Sequence, residues 1–269
     1  MPPARTALWV ASIGGVALLV RSLLFGPVPW WVASVAFGAY ATFAAMGVLF
    51  PQMEMYGDVV WRGDLGAKGV ALTFDDGPHP ETTRAILAIL ARSGHKATFF
   101  VVGRKVRQHP DVVREIHEAG HWLGVHGFLH DRLLCFRAPK FIKTDIEQTQ
   151  EAVETACGVR PVLFRPPVGH VSSRTAVGAR RAGVTIVGWS ARGYDGMPGA
   201  KAERVVDRIE PRLTDGAIVM LHDAAERDDF EPAAVEALPR LLQALDERGL
   251  ESVSVEALLD GEEQGRAPG

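Results

Sequence analysis

Residues suited to acid–base and metal chemistry fall at the ends of short apolar runs in this sequence. "VALTF" (Val70 to Phe74) leads directly into Asp75 and Asp76, followed by Gly-Pro. "HWLGVH" ends at His126 with His130 four residues on, "PVLFR" ends at Arg165, and "GAIVMLH" ends at His222. Adjacent carboxylates repel where a chain leaves its sheet, so the pair at 75 and 76 calls for a compensating positive charge. In "HGFLH" the imidazoles stand at i and i+4, a spacing that brings both rings to one side of a helical turn as ligands for a zinc-type cation. With one aspartate as third ligand, the fourth position is left for water, whose pKa such a cation lowers to about 7. The other aspartate could then take that water's proton, an arginine could keep it ionised, and His222 could protonate a leaving group.

Singly, these motifs have ordinary explanations: Asp-Asp-Gly-Pro is a turn, Arg-Pro-Pro an extended segment, and Trp189 packing. Their joint placement changes the weight. His79, His109, His117 and His121 lack that placement and read as surface or structural residues, and Asp223 as a brace for its loop.

The elements that must position these residues alternate about seven times between strand and helix. Apolar runs such as "ATFFVVG", "VTIVGWS", "GAIVMLH" and a last "ESVSV" are separated by helical stretches, including "PETTRAILAILARSG" and "EPAAVEALPRLLQALDERG". Gly94, Gly120, Gly158, Gly183 and Gly249 mark helix C-termini. Such alternation predicts parallel strands with crossover helices, closed or nearly closed into a barrel whose functional mouth lies at the strand C-termini.

Composition shifts at the N-terminus. From Ala7 to Phe50 the only formally charged residue is Arg21, and "FGPVP" divides two runs, near Ala7 to Leu24 and Trp30 to Phe50, each long enough to cross a bilayer. Residues 1–52 therefore read as a two-helix transmembrane hairpin in contact with the lipid bilayer, with Trp30 and Trp31 in the interfacial belt. Arg5 and Arg21 pull the orientation in opposite directions. Residues 53–68 read as a linker, 69–259 as the catalytic domain, and 260–269 as a disordered tail. A formal net charge of −3 with no basic stripe argues against nucleic acid as a partner. Cys135 and Cys157 are too few for a disulfide framework and read either as a single pair or as two unrelated thiols.

Taken in order, "TFDDGP", "HGFLH", "RPPVG", "WSARGYDG" and "GAIVMLHD" resemble the motifs of the polysaccharide deacetylases of carbohydrate esterase family 4, the NodB-like homology domain. The resemblance covers roughly Val70 to Leu259. It implies a distorted, incompletely closed (β/α) barrel of about seven parallel strands that removes acetyl groups from N-acetylglucosamine-type residues of a glycan. By the same resemblance Asp75 is the general base, tethered by Arg165, and His222 the general acid, tuned by Asp195. Asp76, His126 and His130 hold one divalent metal ion, zinc in the first instance, with cobalt, nickel or manganese also accepted. The Val168 backbone N–H helps hold an oxyanion, and Trp189 with Leu221 lines the pocket for the acetyl methyl. Gly127, Val168, Arg192 and Gly196 depart from the family's usual residues, which bears on substrate and rate more than on reaction class. A hydrolase of another C–N or ester bond and a membrane-anchored glycan-binding protein with degraded catalysis are the alternatives. The anchor points to a cell-envelope glycan and an extracytoplasmic domain; the oligomeric state is left open.

Overall fold

The computed structural model describes residues 1–259, so the tail expected at 260–269 lies outside the described residues. The chain opens with two apolar helices, α1 (Pro3–Phe25) and α2 (Trp30–Leu49). At 1.5 Å per residue their 23 and 20 residues span about 35 and 30 Å, and both are long and apolar enough to cross a membrane. Gly26 to Pro29 turns the chain between them, and Ser12 and Tyr40 hydroxyls meet at 3.0 Å across the pair.

The base of the hairpin is fixed to the rest of the protein. Arg5 donates to Glu54 O and Asp58 Oδ1, Tyr56 Oη–H to Ala44 O, and Val171 N–H to Val48 O. Gln52 Nε2–H donates to Trp189 O at 3.3 Å. Residues 53–68 then run along the barrel: Val60 bridges Val187, and the Gly63 and Asp64 N–H groups bond Gly216 O and Leu258 O.

The barrel begins with β1 (Ala71–Asp75), α3 (Thr82–Ser93), β2 (Thr98–Val101), α4 (Gly103–Gln108), α5 (Pro110–Glu118) and β3 (Trp122–Val125). It continues through α6 (Pro139–Cys157), β4 (Leu163–Phe164), α7 (Ser173–Ala182), β5 (Thr185–Ile186), β6 (Ala191–Arg192), α8 (Ala202–Ile209), β7 (Ile218–His222) and α9 (Ala234–Glu247). All seven strands are parallel, in the order β5-β4-β3-β2-β1-β7-β6. The edge strands β5 and β6 do not pair with each other, so the barrel is incompletely closed, as expected. Glycines 94, 158 and 183 cap α3, α6 and α7 in the left-handed conformation that a Cβ penalises.

Period-two alternation splits the strand side chains between two layers. Ala71, Phe100, Leu163, Ile218 and Met220 fill the barrel interior, whereas Leu72, Phe74, Phe99, Val219 and Leu221 pack under the helices. Three expectations need correction. "ESVSV" makes only an isolated bridge, Ser252 to Val70, because the chain leaves the sheet after pairing on either side of Val70; the seventh strand is β6. The "VTIVGWS" strand ends at Ile186, so Trp189 lies in the connection to β6. Helix α4, short and starting at Gly103, was absent from the pattern reading. Cys135 and Cys157 are unpaired; they flank the two ends of α6, whose 19 residues extend about 28 Å.

Candidate active site

The register of the central strands sets the geometry of the mouth. Asp75 and His222 are paired Cα partners at the C-terminal ends of β1 and β7, and both face inward. Neighbouring strands deliver the rest: His126 follows β3 and Arg165 follows β4, with the Arg165 N–H bonded to Val125 O. The resulting cleft has a volume of about 520 Å³, within the range of small-ligand sites, and Asp75, Asp76, His126, His130, Trp189 and His222 all line it.

Asp75 is 2 % exposed and its Oδ1 accepts an Arg165 Nη1 hydrogen bond at 2.7 Å. Arg165 is fully buried, and its other donors reach Thr73 Oγ1, Val187 O and Gly188 O. Its guanidinium carbon also sits 4.2 Å from the centre of the Phe100 ring. Burial pulls the Arg165 pKa below its usual value, opposed by the Asp75 carboxylate. This is the positive charge that the adjacent aspartates call for.

Asp76, in a left-handed backbone conformation at φ 75°, turns its carboxylate the other way. Its Oδ1 lies 3.3 Å from His126 Nε2 and 3.0 Å from His130 Nε2, and the three atoms fall within 4.8 Å of one another. His126 Nδ1–H donates to Arg165 O at 2.8 Å, which leaves the Nε2 lone pair directed at Asp76. Although burial disfavours charge here, the two imidazoles hold the Asp76 pKa well below the usual carboxylate range, and Asp76 with Glu226 raises that of His130. Asp76 Oδ1 is nonetheless a buried oxygen without a hydrogen-bond partner. A carboxylate oxygen and two imidazole nitrogens converging in this way fit a divalent cation bound by three protein ligands.

The histidine pair does not sit on a helical turn. Residues 126–130 form a loop in which Gly127 has φ 79° and His130 φ 54°, so the i, i+4 spacing reaches the same result by a different backbone path. Helix α4 supports that loop: its first N–H groups, at Gly103 and Arg104, donate to Gly127 O and Phe128 O. Asp145 of α6, buried beneath, accepts the Phe128 N–H at 2.9 Å. At Gly127 both the positive φ and the 3.0 Å from its Cβ position to Asp145 Oδ2 disfavour a side chain, and Asp145 holds the loop through the Phe128 N–H.

His222 is held by Asp195, which is fully buried. Asp195 Oδ2 accepts the His222 backbone N–H at 2.7 Å, and Oδ1 lies 3.2 Å from Nδ1. Burial of the ring opposes protonation, but Asp195, with Asp76 and Asp75 behind it, pushes the His222 pKa up to about 10. Gly196 packs directly beneath this ring, where a Cβ would fall 2.7 Å from His222 Cγ. Asp223 braces the turn after β1, accepting from Gly77 N–H and Thr83 Oγ1–H, and its burial raises its pKa to about 7.

Val168, at φ 55°, lines the mouth beside Gly169, and Trp189 packs edge-on against Gly169. Leu221 does not line the mouth: it lies on the outer face of β7 among the helix-facing core, and Met220 occupies the inward position next to His222. Glu226, 3.4 Å from His130 Nδ1, was not anticipated and carries no motif signal. Of the histidines set aside, His121 is buried, which lowers its pKa to about 4, and His79 Nδ1 accepts from backbone N–H groups at the start of α3.

A carboxylate held by an arginine and a histidine held by a carboxylate, on either side of a cation-binding cluster at the mouth of a parallel barrel, have the composition of a metal-dependent hydrolase site. The comparisons narrow that class. The polysaccharide deacetylase family profile matches residues 62–187. A chitooligosaccharide deacetylase of Sinorhizobium fredii is 33% identical over 198 residues, covering 70% of this chain and 90% of that protein. The peptidoglycan-N-acetylglucosamine deacetylase PgdA of Listeria monocytogenes is 35% identical over 191 residues, 71% of this chain but only 39% of that longer protein. Among solved structures, peptidoglycan deacetylase PdaC from Bacillus subtilis superposes with a TM-score of 0.66 at 29% identity, covering 75% of this chain and 95% of that one. The chain belongs to the polysaccharide deacetylase family, carbohydrate esterase family 4.

Proposed function

We propose that this protein is a membrane-anchored, metal-dependent deacetylase that hydrolyses the N-acetyl amide of N-acetylglucosamine-type residues in a cell-envelope glycan, releasing acetate and a free amine. The observation that carries this reading is the spacing of the two charge-held groups around the Asp76–His126–His130 cluster. Asp75, held by Arg165, takes the proton of the attacking water. His222, protonated at neutral pH, gives its proton to the departing nitrogen, so the proton balance closes within one mouth. The Val168 N–H faces the developing oxyanion, and Trp189 with Met220 receives the methyl group. Asp76, His126 and His130 are the ligands of one divalent ion, zinc being our first choice. When bound, such an ion supplies Lewis acidity towards water and carbonyl oxygen. The two apolar helices serve as the anchor, with the barrel on the extracytoplasmic face.

The test is acetate release from N-acetylglucosamine oligomers by the full chain, stripped of metal and then titrated with zinc. Release that requires the metal and disappears in Asp75→Asn is the expected result. Metal-independent release, or none from either soluble or membrane-borne N-acetylated sugars with the site fully loaded, refutes the proposal.

A further inference from the structure

A second cleft, of about 430 Å³, opens beside the mouth and shares Trp189, Arg192 and Tyr194 with it. Arg192, Arg208 and Arg212 line it together. Their side-chain hydrogen bonds go to Tyr194 Oη, Gly193 O and Arg208 O, and among the described residues none of the three pairs with a carboxylate. Guanidinium offers planar, forked donors that match the oxygens of phosphate. The remaining wall includes Gln52 and Trp61, and Gln52 is three residues past the end of α2. Its bond to Trp189 O, with that between Val171 N–H and Val48 O, fixes the helix end against the edge of both clefts. With α2 crossing a bilayer, Leu49 and Phe50 stand at the membrane boundary, and Gln52 just beyond them forms part of the wall of the arginine cleft.

We propose that this cleft binds the phosphate of a lipid-linked sugar, so that the N-acetylated sugar presented to the mouth is drawn from the membrane surface and not from a soluble polymer. This deepens the deacetylase reading and rests on it for the chemistry performed next door. The arginines take the phosphate, the Trp61 and Trp189 indoles flank the path, and the lipid stays in the bilayer beside α2.

Binding is measured without turnover. The full chain in phosphatidylcholine nanodiscs is incubated with radiolabelled geranylgeranyl phosphate, with empty nanodiscs as background and with geranylgeraniol or inorganic phosphate as competitors. The expected result is saturable retention that geranylgeraniol does not displace and that inorganic phosphate displaces only weakly. Affinity falls about tenfold or more in R208Q/R212Q, since two charge-assisted donors to the phosphate are lost. It recovers in part in R208K/R212K, which keeps the charge but not the forked donors and guards against misfolding. Equal retention by the glutamine variant, or equal competition by the alcohol, overturns the site. Displacement by inorganic phosphate at matching concentration makes it a small-anion site and overturns the lipid-linked substrate. Saturable retention by a chain that releases no acetate from any N-acetylated sugar supports the phosphate site and overturns the deacetylase reading instead.

Discussion

Asp195→Asn isolates the charge that holds the proposed acid. The substitution keeps the side chain's volume and its acceptor for the His222 backbone N–H, and removes the negative charge 3.2 Å from Nδ1. At an effective dielectric of about 20, a unit-charge pair at that separation is worth ~5 kcal/mol. Each pKa unit corresponds to about 1.4 kcal/mol, and Asp76 and Asp75 continue to favour the imidazolium. The His222 pKa, about 10 with Asp195 in place, should therefore fall by about three to four units. As the proposed acid, His222 would act in its protonated form, so activity should be lost as pH rises through its pKa. The assay is the pH dependence of kcat/KM for acetate release, with metal content measured alongside. The alkaline limb of the profile should move towards neutrality in the variant, and the rate at the remaining optimum should fall by about 10²- to 10⁴-fold as the acid loses its orientation. Stability gives a second readout. A His pKa raised by folding stabilises fully below the unfolded value near 6.5 and loses that contribution as pH climbs to about 10. Over that window the metal-free wild type should lose up to ~1.4 kcal/mol per pH unit from this group, and the variant much less. An alkaline limb that stays in place in Asp195→Asn, with metal still bound, refutes the assignment of His222 as the acid held by Asp195.

Other substitutions separate the remaining parts. Asp75→Asn should lower acetate release by at least about 10²-fold while zinc occupancy, read by elemental analysis, stays near one per chain. His126→Ala should lose the zinc itself, since it removes one of three ligands and the ring fixed by Arg165 O; retained occupancy would contradict the triad. Arg165→Met should cost about 3 to 5 kcal/mol by leaving Asp75 buried and unpaired, and adding Asp75→Leu should recover part of that stability in a denaturant titration without recovering activity. Gly77→Ala places a methyl group against the Asp223 carboxylate and should destabilise by about 1 to 3 kcal/mol, displacing the turn that carries Asp75 and Asp76.

The chemistry was legible where a strand ended. An apolar run that stops at a charged or imidazole side chain marks the C-terminal rim of a parallel sheet, and Asp75, His126, Arg165 and His222 all announce themselves this way. Parity along a strand was also available: with His222 facing inward, Met220 must share its face and Leu221 must not. Asp145 left a fainter trace, a carboxylate on the apolar stripe of α6 between Ile142 and Ile146. What sequence could not carry is backbone hand. Nothing local distinguishes a helical "HGFLH" from a loop with His130 in the left-handed region; the difference comes from α4 and Asp145, which are distant in sequence and bond its backbone. "ESVSV" has strand-like alternation but cannot extend its pairing along β1, because β2 and β7 already flank that strand.

Arg165 has a reach that goes beyond pairing with Asp75. Two of its donors end on Val187 O and Gly188 O, in the stretch that carries the chain from one edge of the sheet to the other, while a third ends on the carboxylate of β1. One guanidinium thus acts as both the latch of the barrel's seam and the counterion of Asp75. Opening the seam and releasing Asp75 are then the same event, so on the proposed mechanism heating should extinguish turnover at the temperature where the barrel gives way, with no folded but inactive state in between. Selection on rate and selection on rigidity meet at this one side chain.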